Sequence, residues 1–318
     1  RSNLLMRLRP AGKVRQRVLL TPHLDVVPAE KRAFKPKIRN GNLHGRGSCD
    51  TKGSVASFFS AFAMLAQGGP RPKNTEIVFV GLVDEEFGQA GSRALAQKGP
   101  QGDLAIAGEP TKLQVVSAHK GNLWIRLGTK GKAAHGSTPE NGKNAIESMT
   151  KVLQCLFGEY SKMLAKKSHP LLGSPTLSIG RITGGSQPNV IPNHCEIDLD
   201  RRTLPDETSA SVKKELTELL AFNGLFPSYT GAREASCPAL ETDPKLPLVR
   251  SFLKAARRRQ TYGVPYFTDA SPIAMGGTPA VVYGPGDIAQ AHAKDEWVSL
   301  KEVEKCRDAI HRFLIGLE

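Results

Sequence analysis

Short apolar runs alternate with helical patterns along the first third of the chain. Residues 18–20, 77–83 and 104–107 are near-continuous apolar runs, which are typical of parallel strands buried on both faces. Between the first two runs, the apolar positions of residues 55–66 repeat with the 3.6-residue period of a helix packed on one side. The order of strand, helix, strand and strand predicts an α/β sheet covered by helices.

The middle of the chain has a different pattern. Residues 123–127, 177–179 and 196–199 alternate between apolar and polar positions, as half-exposed strands do. Amphipathic helices are predicted at residues 144–157 and 212–222. The order of strand, helix, strand, strand and helix predicts a small α+β domain of the split-βαβ type.

A third pattern follows, beginning with residues 231–247, which are rich in Pro and Gly and predict a linker. Beyond it the pattern predicts a helix, a strand and a closing helix, at residues 248–258, 280–283 and 300–314. The chain has 318 residues, more than one hydrophobic core usually serves. We therefore expect a catalytic domain made of residues 1–120 and 231–318, with residues 121–230 inserted into it.

The chain is strongly basic, with a formal net charge of +14. A basic face can bind nucleic acid, but no nucleic-acid-binding motif accompanies this charge and aromatic residues make up only 6% of the chain. The simpler interpretation is a solvated surface that attracts anionic small-molecule substrates. We expect no nucleic-acid partner, and a non-catalytic basic binding protein is the remote alternative.

Three features bear on location. No apolar run approaches the ~18 residues that a membrane span needs, and no signal-peptide pattern opens the chain. The cysteines are odd in number, widely spaced and without a C-x-x-C pair, which favours a reducing compartment over a disulfide framework. They are Cys49, Cys155, Cys195, Cys237 and Cys306. We expect a cytoplasmic protein with no membrane partner, and the abrupt start at Arg1 leads us to expect further residues upstream.

Histidine and acidic side chains cluster just after predicted strands. They are His23, Asp25, Asp50, Glu85, Glu86, Glu109 and His292. In open α/β sheets, ligands gather at the carboxyl ends of the strands, and mixed His and carboxylate sets suit zinc, cobalt or manganese. Two neighbouring metals need one bridging carboxylate and two further ligands each. That requirement is met by His23, Asp50, Glu86, Glu109 and His292.

Simpler interpretations of these residues exist. A single histidine after a strand is usually a loop residue, and a pair such as Glu85-Glu86 usually lies on a solvated surface. Here the pair ends a strand that is too apolar to lie at the surface, which weakens that interpretation. Asp25, two residues after His23, could accept the second ring N–H of that histidine and fix its tautomer. Cys49 is interpreted as a packing residue.

Eight short stretches occur in the order found in one enzyme family. They are His23-Leu24-Asp25-Val26-Val27-Pro28, Gly45-Arg46-Gly47-Ser48-Cys49-Asp50-Thr51-Lys52-Gly53, Asp84-Glu85-Glu86-Phe87-Gly88, Gly108-Glu109-Pro110-Thr111, His135-Gly136-Ser137-Thr138-Pro139, Asn189-Val190-Ile191-Pro192, Gly284-Pro285-Gly286 and Ala291-His292. The chain resembles the dizinc metallopeptidase family of aminoacylase, acetylornithine deacetylase, succinyl-diaminopimelate desuccinylase and carboxypeptidase G. It departs from the family pattern at Thr21-Pro22, where a glycine is more usual before the histidine, and at Thr51, where methionine is usual.

The resemblance implies a zinc-peptidase-type mixed sheet flanked by helices, with an inserted α+β domain of split-βαβ type that acts as lid and dimerisation domain. It also implies two zinc ions, with cobalt as an alternative. His23, Asp50 and Glu109 would hold one ion. His292, Asp50 and Glu86 would hold the other, so that Asp50 bridges the pair.

The resemblance implies catalytic roles as well. Glu85 would be the general base, with Asp25 beside it, and His135 on the inserted domain would help to bind the oxyanion, commonly across a homodimer. The implied reaction is hydrolysis of the amide bond of N-acyl amino acids, as in acetylornithine deacetylase. Carboxypeptidase or dipeptidase activity and succinyl-diaminopimelate desuccinylase activity are the alternatives within the same family.

Two residues of the inserted domain resemble family residues that reach into the cleft, Arg202 and Asn189. A guanidinium fork suits a substrate carboxylate because it donates two parallel hydrogen bonds. The alternative is that Arg202 pairs with Asp200 or Asp206 on the surface of the lid. If this segment is a strand, Arg201 should point the opposite way.

Overall fold

The computed structural model describes residues 1–231 and 236–318, so positions 232–235 of the predicted linker lie outside the described residues. The chain divides into two compact units. Unit 1 consists of Arg1–Ala118, Leu240–Val264 and Thr268–Glu318, and unit 2 consists of His119–Ala239 and Pro265–Phe267. Unit 2 is therefore inserted, along the chain, between two parts of unit 1.

The elements in chain order fall into three groups. The first contains β1 (Leu4–Leu8), β2 (Gln16–Pro22), β3 (Lys37–Arg39), β4 (Asn42–His44), α1 (Gly53–Ala66), β5 (Thr75–Gly81), α2 (Ala90–Lys98), β6 (Leu104–Gly108) and β7 (Val116–His119). The second contains β8 (Gly121–Lys130), α3 (Ala145–Cys155), α4 (Ser161–Ala165), β9 (Thr176–Gly184), β10 (His194–Thr203), α5 (Ser209–Phe222) and β11 (Ser228–Tyr229). The third contains β12 (Leu240–Glu241), α6 (Pro247–Ala255), β13 (Tyr262–Val264), α7 (Ala270–Met275), β14 (Ala280–Val282), β15 (Trp297–Ser299) and α8 (Leu300–Ile315).

A mixed sheet with the strand order β1-β5-β2-β6-β14-β7-β12 forms the centre of unit 1. Strands β5, β2, β6 and β14 run parallel, whereas β1 runs antiparallel to β5. The register places Leu19 of β2 beside Val78 of β5 and Ala105 of β6. The predicted mixed α/β sheet flanked by helices is confirmed.

Apolar clusters cover both faces of this sheet. Leu19 and Val78 belong to a cluster that includes Leu95 of α2 and Ile273 of α7. Because successive side chains of a strand alternate between faces, neighbouring residues such as Leu20 pack on the other side with α1, α6 and α8. Every residue of β5 is buried, as expected for a parallel strand covered on both faces. Truncation of Leu19 to alanine should cost about 2–5 kcal/mol.

The parallel direction of β2, β5 and β6 brings their carboxyl ends to one edge of the sheet. Each of these three strands is followed, within four residues, by a histidine or glutamate named in the sequence analysis. The close approach of β2 and β6 at this edge requires Gly108, since a Cβ there would lie 2.8 Å from the Ser54 Cβ and 2.9 Å from the Pro22 Cβ. The fold therefore places His23 and Glu109 side by side at this edge and directs the loop that carries Glu85 and Glu86 toward it.

Unit 2 is built on an antiparallel sheet with the order β11-β8-β10-β9. Helices α3 and α5 pack with this sheet in one apolar cluster. Burial alternates along β10, so that every second side chain faces the cluster. The chain order β8-α3-β9-β10-α5 agrees with the predicted split-βαβ arrangement of an inserted α+β domain.

The bounds of some elements differ from the sequence prediction. The helix predicted at residues 144–157 continues to Ala165 through the π-helical turn Leu156–Tyr160. Helix α5 begins earlier than predicted because the Thr208 hydroxyl accepts a hydrogen bond of 3.0 Å from the Ser211 amide and so caps it. Strands β15, β4 and β3 form a small sheet of their own, and each is too short to give a clear period. Among the described residues, no helix has both the length and the apolar character needed to cross a membrane.

Candidate metal centre

Three of the predicted ligands lie where strands of unit 1 end. His23 follows β2 directly and forms a bridge with Leu82, which follows β5. Its side chain is 1% exposed. Glu109 follows β6 directly and is also buried, and Glu86 lies in the loop after β5. Each side chain is thus fixed by the backbone of a core strand or of the loop that leaves it.

Asp50 lies between two histidines. Its Oδ1 is 2.9 Å from the His23 Nε2, and its Oδ2 is 3.4 Å from the His292 Nε2. Glu109 Oε1 is 3.9 Å from His23 Nε2, and Glu86 Oε2 is 3.0 Å from His292 Nε2. The five predicted ligands therefore form two groups of three, each with its ligand atoms within 4.8 Å of one another, and Asp50 belongs to both.

Glu296 holds the loop that carries Asp50, and the sequence analysis did not assign it a role. One carboxylate oxygen accepts hydrogen bonds from the amides of Cys49 and Asp50, at 2.9 and 3.0 Å. The other accepts from the amide of Gly47 at 2.9 Å and from Arg46 Nη1 at 2.6 Å. Glu296 is only 2% exposed, and these four bonds fix the backbone from which Asp50 projects.

Asp25 acts through two different groups. Its backbone carbonyl lies 3.1 Å from His23 Nδ1, which leaves Nε2 directed at Asp50. Its carboxylate accepts hydrogen bonds from the amides of Glu85 and Glu86, at 3.2 and 3.1 Å. The Asp25 carboxylate also lies near His23, with its Oδ1 3.6 Å from the ring Nδ1, so both the carbonyl and the carboxylate of Asp25 face the second ring nitrogen, while the carboxylate also holds the loop of the proposed base. Burial raises the pKa of Asp25, but attraction to His23 outweighs it and brings the pKa to about 2.

Glu85 is buried, and within the described residues its carboxylate has no hydrogen-bond or ion-pair partner. Burial raises its pKa well above the usual value, His23 opposes the rise, and the nearby Asp269 and Asp50 add to it. A carboxylate with a raised pKa and free oxygens is suited to take up a proton near neutral pH.

Crowded negative charge is the main electrostatic feature of the site. Burial and the neighbouring carboxylates also raise the pKa of Glu86 and Glu109, although His23 opposes the rise in both. A further buried acid, Asp269, bonds to the Ser92 hydroxyl at 2.5 Å, and burial raises its pKa to about 6. Buried carboxylates in such number favour bound cations, and the His and carboxylate donors suit zinc. The residues present therefore fit a pair of divalent metals.

Backbone conformation also marks the loops of this site. Asp84, which precedes the Glu85-Glu86 pair, has φ 66°, and His292 has φ 60°. Residues other than glycine adopt this left-handed region at a cost of order 1–3 kcal/mol, and such residues cluster at functional sites. Both loops that supply Glu86 and His292 thus contain an unfavourable conformation that the surrounding structure maintains.

The remaining predicted residues lie in unit 2. His135 is exposed, its Nδ1 is 2.7 Å from the Ser137 hydroxyl, and it forms a bridge with Val190. The Gly136 amide donates to the carbonyl of Asn189 at 2.8 Å. The structure therefore brings the His135 and Asn189 segments together, although they are far apart in the sequence.

Arg202 and Arg201 point to opposite sides of β10, as predicted for a strand. Arg202 is half-buried, with its Nη2 2.9 Å from Asp200 Oδ2 and its guanidinium 5.9 Å from the centre of the Phe267 ring. This contact with Asp200 is the one that the acid-pairing alternative describes. Arg201 is fully buried and its Nη2 pairs with Glu207 Oε1 at 2.6 Å, so it is a structural residue.

Known proteins resemble this chain over nearly its whole length. Residues 19–315 match the model of peptidase family M20/M25/M40. The acetylornithine deacetylase of Proteus mirabilis (strain HI4320) is 32% identical over 316 residues, which cover 93% of this chain and 78% of that protein. The match extends through both units of the chain.

Solved structures share the fold. The aminopeptidase PepT from Bacillus cereus ATCC 10987 has a TM-score of 0.78 at 23% identity, covering 99% of this chain and 84% of that one. The M20 family metallo-carboxypeptidase Sso-CP2 from Sulfolobus solfataricus has a TM-score of 0.77 at 18% identity, covering 98% of this chain and 87% of that one.

Proposed function

We propose that this chain, which belongs to peptidase family M20/M25/M40 and is a metal-dependent amidohydrolase, releases the acyl group of N-acyl amino acids in the manner of an acetylornithine deacetylase. The observation that carries the proposal is the position of Asp50, whose two oxygens face two different histidines. Such an arrangement suits one carboxylate that serves two metals. His23 and Glu109 would complete one zinc site, and Glu86 and His292 the other.

Two zinc ions, when bound, lower the pKa of a water toward ~7 and polarise the carbonyl of the amide. Glu85 takes a proton from the attacking water, whose oxygen forms a bond to the carbonyl carbon. The C–N bond of the resulting tetrahedral species then breaks, and the proton held by Glu85 passes to the leaving amine. The products are a carboxylate and a free amino acid, and no covalent intermediate with the protein is needed.

His135 is proposed to donate a hydrogen bond to the oxyanion of the tetrahedral species, in a homodimer formed through unit 2. Strand β9 lies at the edge of the unit 2 sheet and is largely exposed, with Ile182 at 54%. Such an edge can pair with a strand of a second copy of the chain, which supports the proposed homodimer. Mixing inactive His135→Ala with inactive Glu85→Gln protein should restore some activity as subunits exchange. No recovery despite proven exchange would show that His135 acts within its own chain.

Arg202 is proposed to bind the α-carboxylate of the substrate in exchange for Asp200. Arg202→Lys should then lower kcat/KM sharply, since an ammonium cannot reproduce the bidentate fork. The loss should shrink for a substrate whose carboxylate is amidated. Arg181→Lys is the matched control, because Arg181 lies on the same sheet and pairs with Asp198 at 3.5 Å. Equal losses on acid and amide substrates would limit Arg202 to a structural role.

The substrate class is tested with a panel of N-acetyl amino acids including N-acetylornithine, N-succinyl amino acids and dipeptides, each assayed with Zn²⁺ and with Co²⁺. We expect the highest kcat/KM on an N-acetyl amino acid with a free carboxylate. A preference for dipeptides or for N-succinyl substrates would favour the carboxypeptidase, dipeptidase or desuccinylase alternatives. If no substrate of the panel is hydrolysed with either metal, a non-catalytic binding protein would be favoured. All five cysteines are buried and none belongs to a disulfide, which supports a reducing compartment such as the cytoplasm.

A further inference from the structure

Unit 1 contains a cavity of about 650 Å³ that none of the five proposed metal ligands lines, although the lining residue Arg46 donates to the backbone carbonyl of His292 at 3.3 Å. It is formed by the loop before β3, by β3 and β4, and by the segment before β15. Six cationic side chains line it, against three acidic ones. The cations are Arg32, Lys35, Lys37, Arg39, Arg46 and Lys294.

Most of this positive charge has no acidic partner. Arg46 Nη1 pairs with Glu296 Oε2 at 2.6 Å, and Arg32 Nε pairs with Glu30 Oε2 at 2.7 Å. The other four cations form no ion pair or side-chain hydrogen bond with any residue that the structure describes: Lys35, Lys37, Arg39 and Lys294. The cavity is therefore a region of unsatisfied positive charge, whereas the metal centre is a region of crowded negative charge.

The backbone of β3 fixes this placement. Side chains two residues apart on a strand lie on the same face, so Lys37 and Arg39 both face the cavity. Ile38, between them, points away and is 67% exposed. Lys37 is directly opposite His44 on β4, and His44 lines the same cavity. The cationic wall is thus a property of the strand register and of the basic spacing in Lys35-Pro36-Lys37-Ile38-Arg39.

We propose that this cavity binds a small anion that carries two or more phosphate groups. Phosphate oxygens accept several hydrogen bonds at once from lysine and arginine, and one polyanion can neutralise cations that otherwise repel one another. The volume lies within the range of about 300–1,000 Å³ that is usual for small-molecule sites. The phosphates could belong to a free polyphosphate or to the tail of a nucleotide. Glu296 lines the cavity and also holds the Asp50 loop, so the bound anion lies next to that support.

The test is calorimetric titration of the metal-loaded protein with tripolyphosphate, with ATP and with a short DNA duplex at about 0.15 M ionic strength, where long-range attraction is screened. The variant Lys35→Gln/Lys37→Gln/Arg39→Gln removes one wall of the cavity. The control Lys151→Gln/Lys162→Gln/Lys166→Gln removes the same charge from exposed positions of unit 2, two within helices and one directly after a helix. Phosphates also bind metals directly. Only a difference in affinity between the wild type, the cavity variant and the control variant therefore reports on binding in the cavity.

We expect the cavity variant to bind tripolyphosphate at least about tenfold more weakly than the wild type, because it loses three cations that would lie close to the anion, and the control to stay within about twofold. Lys294→Gln, from another segment, should also weaken binding. Equal affinity for tripolyphosphate and ATP would indicate that the phosphates alone are recognised, and tighter ATP binding would identify a nucleotide. Unchanged affinity in the cavity variant, an equal loss in the control, or preference for a short DNA duplex over tripolyphosphate would overturn the proposal.

Discussion

The two halves of the metal centre differ in how they are built. The inner half, His23 and Glu109, follows two adjacent parallel strands and is 1% and 5% exposed, respectively. The outer half, Glu86 and His292, comes from loops, and the His292 side chain is 55% exposed. Asp50 joins the two halves. The sheet register thus fixes one half, whereas the other half depends on loops that contain left-handed residues.

Because of this difference, the inner half is suited to retain a metal and the outer half is suited to admit the substrate. Inner-half side chains cannot move without disturbing β2 and β6, so they are suited to hold one metal permanently. In the outer half, the Glu86 side chain is 9% exposed but His292 is 55% exposed, so the His292 side is suited to the place where substrate arrives. Substitutions that act on one half, or on the Asp50 junction, should therefore have different consequences.

Asp50→Asn tests the junction and should have the largest effect. The amide keeps the shape of the side chain but loses the negative charge and one of the two ligand oxygens. We expect bound metal to fall well below one equivalent per chain, and activity to fall by more than the about 10²–10⁴-fold that a general base contributes. Metal analysis together with an amide hydrolysis assay measures both. Retention of one full equivalent would show that the two halves bind independently of Asp50.

Glu85→Gln separates metal binding from proton transfer. Glutamine is nearly isosteric, but it cannot take up the proton of the water. We expect both metals to remain bound while kcat falls about 10²–10⁴-fold. Activity within a few-fold of the wild type would assign the base to another residue, and loss of metal would show that Glu85 is a ligand.

Glu296→Gln tests whether the support of Asp50 matters to both halves. Glutamine has one acceptor oxygen, so it cannot maintain the bonds to three backbone amides and Arg46. Loss of such a supporting partner typically costs about 10–100-fold in metal affinity, and we expect a loss of that size. Glu207→Gln is the matched control, since Glu207 bonds to the Leu204 amide and to Arg201 in unit 2. A similar loss of metal affinity in the control would attribute the effect to general destabilisation.

His23→Ala and His292→Ala compare the inner and outer halves in the metal-free protein. Of the predictions made here, their effect on the free energy of unfolding is the smallest. Removal of the buried His23 leaves Asp50 without its closest partner, which should lower the free energy of unfolding by about 1–3 kcal/mol. Removal of His292, whose side chain is 55% exposed, should lower it by less than removal of His23, because water can reach the Glu86 oxygen that His292 contacts. Denaturant unfolding after chelation measures both, and equal losses would contradict the division into an anchored and an open half.

The features that could be predicted from the sequence are those fixed by the strands, as in the inner half of the site. The apolar run of residues 77–83 and its neighbours predicted buried parallel strands, and with them the place of His23 and Glu109. The order of elements also predicted the inserted α+β fold. These features follow from periodicity, which is local and therefore visible in the sequence.

Other features depend on contacts between distant residues. Glu296 meets the Asp50 loop after a separation of about 250 positions, and the only signal for it was an acid placed just before the short strand β15. Asp269, buried beside Ser92 of a distant helix, gave no local signal either. The length of the helix beyond residue 157 was missed because its π-helical turn disturbs the 3.6-residue period.

The metal content of the wild-type chain, measured alongside its activity, tests the central claim most directly. The protein is purified, dialysed against a chelator, reloaded with Zn²⁺ and analysed for bound metal and for hydrolysis of an N-acetyl amino acid. The account predicts close to two equivalents of metal per chain after reloading, and no hydrolysis by the chelated protein. Full hydrolysis by a metal-free chain would contradict it.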